Sequence, residues 1–255
     1  MVKTLADVAP EGVLLAGAGR AILLQLANPA VGYGVAQHSD FTANPLKRLH
    51  HTLQYIYALS NGTTQQRRTM KAHVQRAHLP VRSPGTAATP AYDASDGQLQ
   101  LWVAATLYDS ARDVYAAVFP ALSEADDESV YQGYAVLGVE LGMPAQLWPA
   151  SRADFKEYWD RQLATLSVDG TVREVARELL AARQAPVWLK PFMPLVRFLS
   201  VGLLPAPVRQ LYGFSWSPRR ERLLRTLLAL TSHLVRVVPA GIRHAPMRYY
   251  LKRLG

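Results

Sequence analysis

An all-α fold is predicted for this 255-residue chain by three features: apolar residues at helical spacing, helix caps and breakers at regular intervals, and almost no alternating apolar–polar runs. A composition of 49% hydrophobic and 18% charged residues excludes disorder and suffices for one sizeable core. With no cysteine, disulfide scaffolds, zinc ribbons, thiol catalysis and thiolate-ligated iron–sulfur clusters are also excluded.

The elements follow in order. Gly12 to Ala27 reads as an apolar helix that Pro29 must stop or kink. Asn44-Pro45, a cap followed by proline at the first helical position, opens a helix to about Ser60. Asn61-Gly62 ends it, and the capping box Thr63-x-x-Gln66 opens the next, closed by Pro80. Residues 81–97, rich in Pro, Gly, Ser and Thr, predict an ordered loop. Gln98–Val118 carries Leu101, Ala105 and Tyr108 on one face of a buried helix. Ser123, followed by an acidic first turn, caps a helix expected to reach Gly142. Ser151-x-x-Asp154 and Asp169 open two more, the second toward Ala182, and Ser217-Pro218 opens a last long helix to about Val237. The expectation is nine or ten helices in one domain of irregular, globin-like complexity, with residues 11–182 as the core and 183–255 as a helical extension.

Charge divides the chain unevenly. Residues 1–182 hold 15 Lys+Arg against 18 Asp+Glu; residues 183–255 hold 13 basic residues against Glu221 alone, a net of +12. Such a quarter is attracted to anionic partners, and a phospholipid surface suits it better than nucleic acid, for which no recognition motif is present. Lys3, Asp7 and Glu11 interrupt any signal-peptide pattern, and the uncharged stretch Ala21–Ser39 contains Gln25, Asn28 and Pro29. A cytoplasmic location with peripheral membrane contact through residues 183–255 is expected.

Nucleotide, serine-hydrolase, zinc-protease and di-iron motifs are missing from the sequence. Seven histidines remain as the chain's metal- or haem-ligating candidates. Arg48, His51 or Thr52, and Tyr55 share one helix face; His73 and His78 lie about 140° apart around the next helix and cannot both face one site. A helix hairpin would bring His51 and one of these two toward a common cavity.

The run GRAILLQLANPAVGYGVAQHSDFTANPLKRLHHTLQYIY, then VQRAHLPVRS, LQLWVAATLYDSA and FKEYWD, resembles in order and spacing the family of the ER-bound oxygenase of mycophenolic acid biosynthesis and the rubber oxygenases, or latex clearing proteins. The resemblance covers about residues 11–182. It implies a b-type haem in a pocket between helices and an oxygenase using O₂ on a hydrophobic, isoprenoid- or lipid-like substrate. It implies His78 as proximal iron ligand, and Arg48, His51 and Thr52 at the distal face, His51 standing where rubber oxygenases carry lysine. Arg20, Arg48 and His38 are the further candidates to contact the cofactor, and Leu53, Tyr55, Trp102, Tyr158 and Trp159 to wall the pocket.

Three departures accompany it. Asn28-Pro29 replaces a common His-Pro, Val81-Arg82-Ser83 replaces V-x-G, and His51 itself either ligates the iron or acts as a distal acid–base residue. A haem- or lipid-binding carrier, sensor or electron-transfer protein without turnover is the alternative, and a haem-free helical scaffold a third.

Overall fold

A computed structural model of the protein describes residues 2–38, 45–183 and 186–254. Eleven helices of eight residues or more fill it: α1 Ala18–Ala27, α2 Pro29–His38, α3 Pro45–Asn61, α4 Thr64–His78, α5 Gly97–Val118, α6 Glu124–Tyr134, α7 Arg152–Thr165, α8 Gly170–Ala181, α9 Met193–Gly202, α10 Pro218–Val237 and α11 Ala245–Lys252. Ten of them have at least ten residues. Shorter helical turns connect them.

The caps behave as their chemistry requires. Thr63 accepts from the Gln66 backbone N–H while the Gln66 side chain accepts from Thr63 N–H, closing the predicted capping box. Asp96, Ser123, Ser151, Asp169 and Ser217 each accept from the first turn of the helix they precede. Pro29 starts α2 rather than merely ending a helix: Asn28 is extended, and the chain bends by 102° between Gly12–Ala27 and α2. The cap expected at Asn44 lies outside the described residues.

Three expectations are corrected. Gly12–Gly17 is a tighter 3₁₀ stretch leading into α1, not part of one α-helix. Within the predicted loop, Arg82–Ser83 and Tyr92–Asp93 pair as a two-residue antiparallel ribbon, Arg82 opposite Asp93 and Ser83 opposite Tyr92. The helix expected to reach Gly142 stops at Tyr134; a one-turn helix, Val136–Val139, follows before Gly142 turns the chain at φ +117°.

α5 is the central helix. It packs on α1, on Gly12–Gly17 and on α10; α9 lies on α1, α8 on α2, and α11 on α3. The C-terminal helices α9, α10 and α11 are thus part of the packed body. Around α5 lies an aromatic core: Tyr108 meets Tyr131 at 5.1 Å and Phe155 at 4.9 Å, while Trp102 stacks on Trp159 at 5.3 Å.

A buried ion pair joins the layers. Arg20 on α1, 3% exposed, donates to Asp109 Oδ2 at 2.5 Å, to Ser110 Oγ at 2.9 Å and to the Leu203 carbonyl at 2.8 Å. Asp113 stands 3.2 Å away as a second carboxylate. The close approach of α9 makes the Leu203 bond possible: a Cβ on Gly19 would lie 1.8 Å from Ser200 Oγ. Removing one partner leaves a buried charge uncompensated, whereas replacing both with apolar groups does not. Arg20→Ala should therefore destabilise the fold by about 3–5 kcal/mol in urea denaturation, and Arg20→Met/Asp109→Leu by clearly less.

Candidate functional site

The site is an antiparallel helix hairpin. α3 and α4 are joined at Asn61–Gly62 and pack along their lengths. That register places the start of α3 beside the end of α4, and residues one turn inward beside each other. Arg48 therefore acts on His78, and His51 meets His73, ring centroids 4.7 Å apart and edge to face.

Burial and charge set the protonation of these groups. His78 is half-buried; burial first, then the nearby Arg48 cation, hold its pKa down at about 4. Its imidazole is neutral at any physiological pH, with a nitrogen lone pair available. Arg48 is also half-buried, and burial lowers its own pKa, yet a guanidinium starts so high that it stays charged. His51 is lowered by burial, then by His73, Lys47 and His50. Thr52, half-buried, follows His51 one turn beyond Arg48.

The remaining candidates lie apart from this group. Arg20 is engaged through all three guanidinium nitrogens by Asp109, Ser110 and Leu203. His38 is exposed at the end of α2, its ring edge-on to Tyr92 at 5.5 Å, and the Tyr92 hydroxyl donates to Gln37 Oε1 at 2.7 Å. Tyr55, Trp102, Tyr158 and Trp159 are buried in the main core, where the Tyr55 hydroxyl donates to the Leu137 carbonyl at 2.8 Å. Leu53 belongs to a smaller cluster with Tyr57 and Tyr250 of α11. A cavity of about 600 Å³ opens at the ribbon, bounded by Arg82, Ser83, Tyr92, Asp93 and Gln98. It begins four residues beyond His78; neither His51 nor His78 lines it.

His73 is the residue that sequence reasoning left undecided. Angular position on α4 excludes a site shared by His73 and His78, but only the hairpin register says which of them faces His51.

The folded state binds fewer protons than the unfolded chain between pH 6.5 and about 4, because His78 resists protonation only when folded. The protein should lose up to about 3 kcal/mol of stability as pH falls through that window, His51 acting in the same direction. The urea midpoint followed from pH 7 to 4 checks this, and His78→Leu should flatten much of the slope.

Residues 6–233 match the family described as ER-bound oxygenase mpaB/B'/Rubber oxygenase, catalytic domain. Uncharacterized proteins of Mycobacterium bovis and Mycobacterium tuberculosis are each 35% identical over 224 residues, covering 86% of this chain and 87% of theirs. A solved structure of latex clearing protein in the closed state shares the fold, with a TM-score of 0.69 at 17% identity, over 97% of this chain and 72% of that one. The chain belongs to the mpaB/rubber oxygenase catalytic-domain family, a family of oxygenase enzymes.

Proposed function

We propose that this member of the family is a haem b-dependent oxygenase that uses O₂ on a hydrophobic, isoprenoid- or lipid-like small molecule. The observation that carries the reading is the Arg48–His78 pairing: a neutral imidazole with a permanent cation beside it. The donor set fits a haem. A haem brings its own ring of nitrogen ligands and needs one more neutral nitrogen from the protein, which is what the His78 imidazole offers.

In this reading His78 holds the iron. Burial and Arg48 keep its nitrogen unprotonated, so ligation does not compete with a proton. Arg48 offers a forked donor to a haem carboxylate. When bound, the haem supplies an iron centre at which O₂ is activated for oxidation of a carbon–carbon double bond.

His51 is assigned the holding and release of a proton at an imidazole nitrogen. Its contact with His73 supports that role over iron ligation, because the neighbouring ring holds it on α4's side and offers a partner for the proton. In the same reading the half-buried Thr52 hydroxyl is the hydrogen-bond donor of the distal side. Trp102 and Trp159, stacked and buried, keep water from the adjoining core. Arg20, engaged elsewhere, serves by fixing α1 against α5, and His38 by its contact with the ribbon.

Purified protein should show a Soret band that shifts on reduction and CO addition, with one haem per chain. His78→Ala should abolish the band, while Arg48→Ala should weaken haem retention by about tenfold or more. Full haem retention by His78→Ala overturns the proximal assignment. A spectrum indifferent to CO and O₂ would favour a carrier or electron-transfer protein. With soluble isoprenoid alkenes, O₂ uptake should be matched by carbonyl products trapped with a hydrazine, two carbonyls per double bond cleaved.

A further inference from the structure

We propose that the outer face of α10, continued by Ile242, is a docking surface for an anionic lipid bilayer. This inference is independent of the haem reading.

The observation is an apolar stripe that the described residues leave largely uncovered. Leu223, Leu230, Leu234 and Val237 are 50%, 56%, 61% and 75% exposed. At 100° per residue they fall within about 60° of one another around α10, on a face separate from that of buried Leu224. Single exposed leucines are ordinary, but three leucines and a valine in register along one helix are not. The stripe does not end with the helix. Leu234 and Ile242, the latter 65% exposed, border one cavity of about 250 Å³ whose wall also includes Val238 and Pro246. A flexible acyl chain suits such an apolar recess.

Charge identifies the partner. Arg219, Arg220 and Arg222 are exposed in the first turns of α10: Arg219 continues the line of the stripe, and Arg220 and Arg222 stand to either side of it; among the described residues none is paired with a carboxylate. Glu221, the only acid of residues 183–255, accepts from Trp216 Nε1 at 2.7 Å and lies about 160° around α10 from Leu223, so its charge faces away from the stripe. Apolar side chains flanked by cations are the pattern of a helix lying in the headgroup plane, its apolar face down and its arginines on phosphate. A second copy of the chain is a poorer occupant, since two quarters of net charge +12 would face each other. No single helix among the described residues is long and apolar enough to cross a membrane, so the surface lies on the bilayer.

The test is co-sedimentation of the full chain with phosphatidylcholine vesicles, with and without one-third phosphatidylglycerol, at low and high salt. Binding should require the anionic lipid and weaken with salt. Leu230→Glu/Leu234→Glu and Arg219→Glu/Arg222→Glu should each reduce it by about tenfold or more, with unchanged far-UV circular dichroism. Leu230→Gln/Leu234→Gln substitutes if the first pair fails to fold. Equal binding to neutral vesicles, no binding at low salt, or binding unaffected by both sets of variants overturns the proposal. So does a dimer of the wild type that the leucine variants convert to monomer, which would assign the stripe to a second copy.

Discussion

Arg20 is a full cation placed where almost no water reaches, and three layers of the molecule are arranged to satisfy it. Its guanidinium takes a carboxylate and a hydroxyl from α5 and a backbone carbonyl from the end of α9. Geometry this specific cannot be met by a sliding interface, so the position of α1 against α5 is fixed within the tolerance of a hydrogen bond. Gly19 is part of the same arrangement, because only a residue without a side chain lets Ser200 approach closely enough for Leu203 to be reached. The α5 surface so fixed also carries Trp102 and Tyr108, around which the aromatic core assembles.

The hairpin of α3 and α4 has a different logic, in which the electrostatics follow from register alone. Packing the two helices antiparallel about a tight turn forces a cation and an imidazole together at the open end. A half-buried cation next to a half-buried imidazole leaves one stable answer, a charged guanidinium and a neutral ring, because the histidine yields its proton far more readily than the arginine. The consequence at His78 is large, a pKa near 4, and needs no catalytic argument to explain it. Its interest is that a neutral, half-buried imidazole beside a fixed positive charge is also what an iron ligand near a carboxylated cofactor requires.

What was legible in the sequence divides along the range of the interactions. Caps are local, and the caps at Ser123, Ser151, Asp169 and Ser217 and the capping box at Thr63 stand where the sequence predicts them, whereas the cap at Asp96 falls in the stretch predicted as loop. Pro29 and Gly62 mark real breaks for equally local reasons. The ribbon at Arg82 and Tyr92 was not legible, because two-residue strands carry no alternation to detect and are held by hydrogen bonds across an eight-residue gap. The early end of α6 at Tyr134 was hidden too: nothing between Tyr134 and Gly142 forbids helix, and the break is tertiary, Leu137 turning inward to accept the Tyr55 hydroxyl. The site was half legible. The resemblance supplied Arg48, His51, Thr52 and His78, but the pairing of His51 with His73, and the bonding of Arg20 to Asp109, depend on contacts between distant segments that spacing does not encode.

The C-terminal quarter links the two proposals physically. α11 lies on α3, the helix that carries Arg48, His51 and Thr52, and Tyr250 meets both Tyr57, at 5.9 Å, and His50, at 5.6 Å. Gln66, in the first turn of α4, donates to the Leu251 carbonyl at 2.9 Å, so α11 is tied to both arms of the hairpin. Farther back, Arg243 and His244 both contact Glu11 Oε1 at 3.0 Å, joining the segment between α10 and α11 to the N-terminal turn that leads into α1. A surface held this firmly to the hairpin keeps a fixed distance and orientation to it. An oxygenase whose substrate dissolves in lipid faces a transfer problem, since carrying an apolar molecule through water costs about 25 cal/mol for every Å² of surface exposed. Docking the body by α10 would place the hairpin at a constant height beside the bilayer and shorten that passage. The excess of arginine in residues 183–255 then has a mechanical reason as well as an electrostatic one.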